Sequence, residues 1–248
     1  MWSGTGAEWD DWLTGATVSV RNLPNATVVP CETDFMQQRV DGAGSSSRRR
    51  VIALTGGIGS GKTAVGHILS DQGAFVVDAD DVARTVTQPN TAGHAAVVKA
   101  FGPEVLGAND YLDRAKLAGL VFADDAKRSL LEGIVHPLVE LEAGRRFQQA
   151  HEGAVLVYEI PLLAETGSGA EFAGVVVVDC PDELRLARLT ARGLSEADAT
   201  ARMSAQSSRA DRLAIADFVI DNSGTPADLR RRTEALWPSL VELVRGSG

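Results

Sequence analysis

The chain has 248 residues, of which 44% are hydrophobic and 23% charged, with a net charge of −9. That mix suits one large globular domain or two small ones and excludes collagen-like, mucin-like and wholly disordered chains. The acidic balance argues against a general electrostatic grip on nucleic acid or anionic lipid, and the apolar runs fall far short of the roughly 18 residues a membrane span needs.

The first 48 residues hold Trp2, Trp9 and Trp12 but show no sustained helical or strand period, and they run into the Gly/Ser-rich stretch 42–47. This composition reads as a poorly ordered extension ending in a flexible linker; a partner-binding arm built on the tryptophans is the alternative. Neither a secretory signal nor an Arg-rich transit peptide fits. Arg48, Arg49 and Arg50 read as solvated.

From residue 49 onward, short β-branched runs alternate with helical patterns. Strands are expected at 51–54, 74–77, 154–158, 175–178 and 218–220, and helices at about 62–71, 81–87, 91–101, 113–122, 125–150, 182–206 and 226–244. Continuous apolar runs, rather than alternating ones, indicate strands covered on both faces, as in a parallel sheet. The expected class is therefore α/β and doubly wound. The long helical stretch between the second and third strands exceeds one crossover and is expected to form a subdomain at about 88–150.

Between the first strand and the first helix lies Gly56-Gly57-Ile58-Gly59-Ser60-Gly61-Lys62-Thr63, which fits the phosphate-loop pattern G-x-x-x-x-G-K-[ST] in its proper context. Glycines let the backbone curl with its N–H groups inward, and the following helix adds its positive end. Gly57, Ile58, Gly59, Ser60, Gly61, Lys62, Thr63 and Ala64 are thus expected to wrap the phosphates of a nucleotide. Lys62 would reach the β- and γ-phosphates, and the Thr63 hydroxyl would ligate Mg²⁺.

The second strand runs into Asp78-Ala79-Asp80-Asp81, at the carboxyl end of the sheet where ligands gather in open α/β folds. A carboxylate there has two readings: a base that takes the proton of an acceptor hydroxyl, or the N-cap of the next helix, served by Asp80 or Asp81. Glu159, ending the third strand, reads either as a metal-organising acid or as a surface glutamate. His136 precedes Pro137, a helix breaker, and reads as structural. Cys180 reads as a small apolar residue. With only Cys31 and Cys180, neither a disulfide framework nor a zinc cluster is in prospect, and a reducing cytoplasmic setting is expected.

Taken in order, Leu54–Thr63, Val76–Asp80, Ile134–Leu138, Ile160–Leu163, Glu183–Arg188, Gln206 with Arg212, and Ala216–Asn222 resemble the dephospho-CoA kinase family, over about residues 51–237. The resemblance implies ATP-dependent phosphorylation of the ribose 3′-hydroxyl of dephospho-CoA to give coenzyme A and ADP. It also implies a five-stranded parallel core, a helical substrate-binding subdomain and a helical lid at about 182–212. On this resemblance Asp80 is the catalytic base and Arg188 the lid arginine on the transferring phosphoryl group. Arg212 is a second phosphate-facing arginine, and Asn222 belongs to the adenine-side loop. Arg185, one turn before Arg188, competes with it for the inward position. The implied partner is a small molecule, without nucleic acid or membrane, bound by a monomer or weak homo-oligomer. The rival readings are another small-molecule kinase, acting on a nucleoside or nucleotide, and a non-catalytic nucleotide-binding switch. No Asn-Lys-x-Asp sequence supports a guanine-reading version of the latter.

Overall fold

The computed structural model describes residues 51–245 except Ala123. The expected extension 1–48, its tryptophans, Cys31 and Arg48 to Arg50 lie outside the described residues. Five strands, β1 (Val51–Thr55), β2 (Phe75–Asp78), β3 (Leu156–Glu159), β4 (Gly174–Asp179) and β5 (Phe218–Asp221), form a parallel sheet in the order β2-β3-β1-β4-β5. The helices that follow β1 and β2 are α1 (Lys62–Asp71), α2 (Ala79–Val86), α3 (Ala92–Phe101), α4 (Arg114–Phe122) and α5 (Asp125–Phe147). After β3 come the short α6 (Leu163–Thr166), then α7 (Asp182–Ala191), α8 (Glu196–Ser204), α9 (Arg209–Ala214) and α10 (Pro226–Arg245). No described helix is long and apolar enough to cross a membrane.

The chain divides into two compact units, one of Val77–Gln149 and one of residues 51–76 with 150–245. In the second unit the parallel register sets Leu54 beside Glu159 and Thr55 beside Val177. Ile52, Leu54, Val157, Val176 and Val178 pack with Val65, Ile68 and Leu69 of α1 and with Leu229 and Leu240 of α10. Ala53, Val175 and Val177 form a separate cluster with Leu163, Leu213 and Ile215. Alternate residues of one strand thus serve two apolar layers, which is why the runs in the sequence are continuous. Because β1 lies between β3 and β4, the turn leaving its carboxyl end opens at the switch point of the sheet, the place where open α/β folds bind ligands.

The Val77–Gln149 unit has its own core of Val97, Phe101, Leu117, Val121, Leu131 and Val135. Its α2 is tied down at both ends. The Asp78 carboxylate caps it, accepting from the Asp80 and Asp81 N–H groups at 2.8 and 3.4 Å. On its far side Arg146 of α5 donates to Asp81 Oδ2 at 2.6 Å and to Thr85 Oγ1 at 2.8 Å.

Two expectations change here. The cap is Asp78, not Asp80 or Asp81, because α2 begins at Ala79, two residues before the expected start at 81. The single helix expected over 182–206 is two, α7 and α8, parted at Gly193, whose φ of 99° ends the first. The helix expected over about 125–150 is observed as α5, which runs through Pro137. Both Pro137 and Gly133, whose carbonyl loses its partner, lie on the exposed side, where a helix bends most easily.

Since Asn and Asp cap about equally well, Asp78→Asn should leave stability nearly unchanged. Asp78→Ala should cost roughly 0.5–2 kcal/mol, read as a lower urea midpoint with an unchanged slope. Equal midpoints for the two variants would show that the cap contributes nothing.

Candidate active site

The turn after β1 must reverse the chain within a few residues while staying packed. Gly56, with φ 151°, sits so close to β4 that a Cβ would lie 2.4 Å from the Val178 carbonyl oxygen. Gly61, with φ 102°, is the N-cap of α1, and a Cβ there would lie 2.3 Å from Asn222 Nδ2. The loop between them is buried and closed by a Ser60 N–H to Gly57 O bond of 3.0 Å.

The start of α1 differs from those of α2, α3 and α5. Those helices are capped by Asp78, Thr91 and Asp124 side chains. Helix α1 has no side-chain cap and no acid in its first turn. Its amino end therefore keeps its partial positive charge, and no side chain of its own satisfies its first N–H groups. Lys62 opens this turn and, among the described residues, forms no ion pair.

Side chains from the strand ends and from α7 hold the loop. Asn222, just past β5 and 6% exposed, donates from Nδ2 to the Ser60 carbonyl oxygen at 2.7 Å. Arg188 is half-buried and donates from NH2 to the Asn222 carbonyl oxygen at 2.9 Å, with longer bonds of 3.4 Å from NH1 to the Gly59 and Ser60 carbonyl oxygens. Arg185 is the more deeply buried of the two, donating from Nε to the Ile58 carbonyl oxygen at 2.8 Å. The Ile58 N–H is donated to Gln206 Oε1 at 2.8 Å. Both competing arginines therefore bind loop backbone. Gln206 was visible in the sequence only through the resemblance, for a glutamine beyond a helix end carries no local signal.

Thr63 lies on the exposed first turn of α1, and its hydroxyl donates to Glu159 Oε1 at 3.1 Å. Glu159 is 5% exposed, which sets aside its reading as a surface glutamate. The hydroxyl and carboxylate are hard oxygen donors of the kind Mg²⁺ prefers. No cluster of three or more His, Cys, Asp or Glu suits a metal among the described residues, so a cation at Thr63 would have to share its shell with phosphate oxygens and water.

Arg212 is buried on α9, donates to the Ser207 carbonyl oxygen, and has its pKa lowered by desolvation and by the nearby Arg185 charge. Cys180 is buried, and burial pushes its thiol pKa up. His136 is exposed on α5. Asp80 belongs to the other compact unit; it is 7% exposed, in the first turn of α2, and its backbone N–H is held by Asp78.

At the end of β4, Arg209 grips Asp179 with bonds of 2.9 Å to Oδ1 and 2.6 Å to Oδ2. These bonds hold the Asp179 carboxyl below the ordinary carboxylate range, against partial burial that raises it. A folded pKa below the unfolded one stabilises the fold fully above about pH 4, and that contribution is lost as pH falls through the lowered folded value. Arg209→Gln should therefore lower Tm at pH 7 by the few degrees that up to about 1 kcal/mol represents. The gap to the parent protein should close in titrations below pH 4; a gap that stays constant would separate Asp179 from this effect.

The family model described as dephospho-CoA kinase matches residues 50–228. Among curated relatives, the dephospho-CoA kinase of Frankia casuarinae is 47% identical over 190 residues, covering 77% of this chain and 83% of its own. That of Streptomyces avermitilis is 46% identical over 198 residues, covering 79% and 97%. Among solved structures, TT1252 from Thermus thermophilus has a TM-score of 0.68 at 34% identity, covering 77% of this chain and 97% of its own. The dephospho-CoA kinase from Campylobacter jejuni has a TM-score of 0.58 at 27% identity, covering 80% and 98%. With a phosphate loop opening an uncapped helix at the switch point of a five-stranded parallel sheet, and with these relatives, the chain belongs to the dephospho-CoA kinase family.

Proposed function

We propose that this protein transfers the γ-phosphoryl group of ATP to the ribose 3′-hydroxyl of dephospho-CoA, giving coenzyme A and ADP. Family membership supports the overall reaction. The observation that carries the site is the uncapped start of α1, left open behind a glycine curl and headed by a lysine without an ion-pair partner among the described residues. Three negatively charged phosphates supply what that helix end lacks.

In this reading the loop from Gly57 to Ala64 wraps the phosphates. Ile58 contributes through loop shape, since its N–H is engaged by Gln206. Lys62 places its ammonium against the β- and γ-phosphates. Thr63, backed by Glu159, would hold Mg²⁺, which on binding neutralises charge on the phosphate oxygens. Arg188 and Arg212 add positive charge near the loop, and Asn222 fixes the loop on the β5 side. Asp80 orients the ribose hydroxyl and accepts its proton. Closure of the lid segment 182–212 keeps water from competing with the acceptor.

Two substitutions test the assignment. Lys62→Met removes the charge but roughly keeps the stem; nucleotide affinity should weaken and turnover should fall by orders of magnitude. Near-normal turnover would remove Lys62 from the site. Asp80→Asn keeps the size of the side chain and, because Asp78 holds the cap, should leave Tm almost unchanged. Its kcat should fall by about 10²–10⁴ if Asp80 is the base, whereas Asp81→Asn should fall much less. Single-turnover phosphorylation with Asp80→Asn running close to the parent rate would exclude Asp80 as the base.

A further inference from the structure

Ile58 has both of its main-chain polar groups taken by side chains more than a hundred residues away. Gln206, two residues beyond the end of α8 and 7% exposed, accepts the Ile58 N–H at its Oε1. Arg185 of α7, 2% exposed, donates from Nε to the Ile58 carbonyl oxygen and from NH2 to the same Gln206 Oε1 at 2.9 Å. Its remaining nitrogen, NH1, binds Asp182 Oδ1 at 2.7 Å. The result is a closed buried ring of loop backbone, guanidinium and amide.

The guanidinium also lies flat against the loop. A Cβ on Gly57 would lie 2.5 Å from Arg185 NH2 and 2.6 Å from its Cζ. Around this ring the Ile58 side chain packs with Leu189 of α7 and Ala199 of α8, flanked by Leu186, Leu194 and Met203. Polar and apolar contacts thus converge on one residue of the phosphate loop, and all of them come from the segment 182–206.

We infer that Gln206 and Arg185 are positioning residues for the nucleotide site. They hold the loop backbone at Ile58 in the curl that receives phosphate, and they make nucleotide affinity depend on the seating of α7 and α8. Gln206 is the pivot, because one oxygen serves both the loop and the arginine. Removing that oxygen leaves a buried N–H and a buried guanidinium donor without their acceptor, which is costly enough that the loop must shift. The inference rests on the reading of the loop as a nucleotide site but not on the identity of the acceptor.

The test is calorimetric titration of the full chain with Mg²⁺ and a non-hydrolysable ATP analogue, beside Tm and the KM for dephospho-CoA. Gln206→Met, similar in length but without an acceptor, should weaken nucleotide binding about tenfold or more, the scale of one lost buried polar contact. Its KM for dephospho-CoA should stay within about threefold, as for an uninvolved substitution. Gln206→Glu keeps an oxygen for both donors and should restore nucleotide binding to within the same margin. If Gln206→Met does not fold, Gln206→Asn, which withdraws the amide by one methylene, carries the same expectation. Unchanged nucleotide affinity in Gln206→Met, or equal weakening in the Met and Glu variants, would overturn the inference while leaving the loop assignment intact. Failure of the parent protein to bind the analogue would overturn both.

Discussion

The structure depends on a loop backbone that must be curled, buried and still left with a positive face for a ligand. Curling it requires residues without Cβ atoms at Gly56 and Gly61, where β4 and Asn222 come within the space a side chain would fill. Burying it requires partners for polar groups that no helix or strand satisfies. Asn222, Arg188, Arg185 and Gln206 provide them, at the Ser60, Gly59 and Ile58 backbone. Because these bonds hold the loop itself, the amino end of α1 is left without a cap. A structure that capped α1 with an aspartate, as α2 and α5 are capped, would be a better isolated helix and a worse phosphate site.

The charge of the site runs against that of the chain. A protein with net charge −9 gathers Lys62, Arg185 and Arg188 at one loop, and the Arg185 charge is felt by Arg212. Arg185 and Arg212 are almost fully buried, and desolvation together with the Arg185 charge lowers the pKa of Arg212. Such crowding of like charge costs stability. It is offset in part by carbonyl oxygens of the loop, by Asp182 at the start of α7 and by Asp179 at the end of β4. Bound phosphates would complete that compensation, so ligand binding should be linked to the stability of this unit.

Much of this was legible in the sequence, for physical reasons that differ by element. Each of the five strands falls within two residues of its expected place, because fully buried parallel strands write themselves as unbroken β-branched runs. The phosphate loop was legible because its mechanics demand glycines and a lysine at fixed offsets. The break at Gly193 was masked by the helical pattern continuing on both sides of it. Asp78 was hidden as a cap because strand and cap are the same residue. The contacts that support the site were the least legible. Arg146 reaches Asp81 across 65 positions and Gln206 reaches Ile58 across 148. No local pattern encodes a partner at such a distance. Whether Arg185 or Arg188 lies deeper was likewise a question of helix orientation, and only packing against the loop answers it.

The central claim, that this loop serves phosphoryl transfer to one particular ribose hydroxyl, is tested most directly by a competition among acceptors. The protein is given ATP and Mg²⁺ with dephospho-CoA, adenosine and AMP together, and both ADP release and the phosphorylated product are followed. The account predicts that ADP forms in step with coenzyme A, and that adenosine and AMP are left unphosphorylated. Phosphorylation of adenosine or AMP in preference to dephospho-CoA, or ADP release without any phosphorylated acceptor, would contradict it.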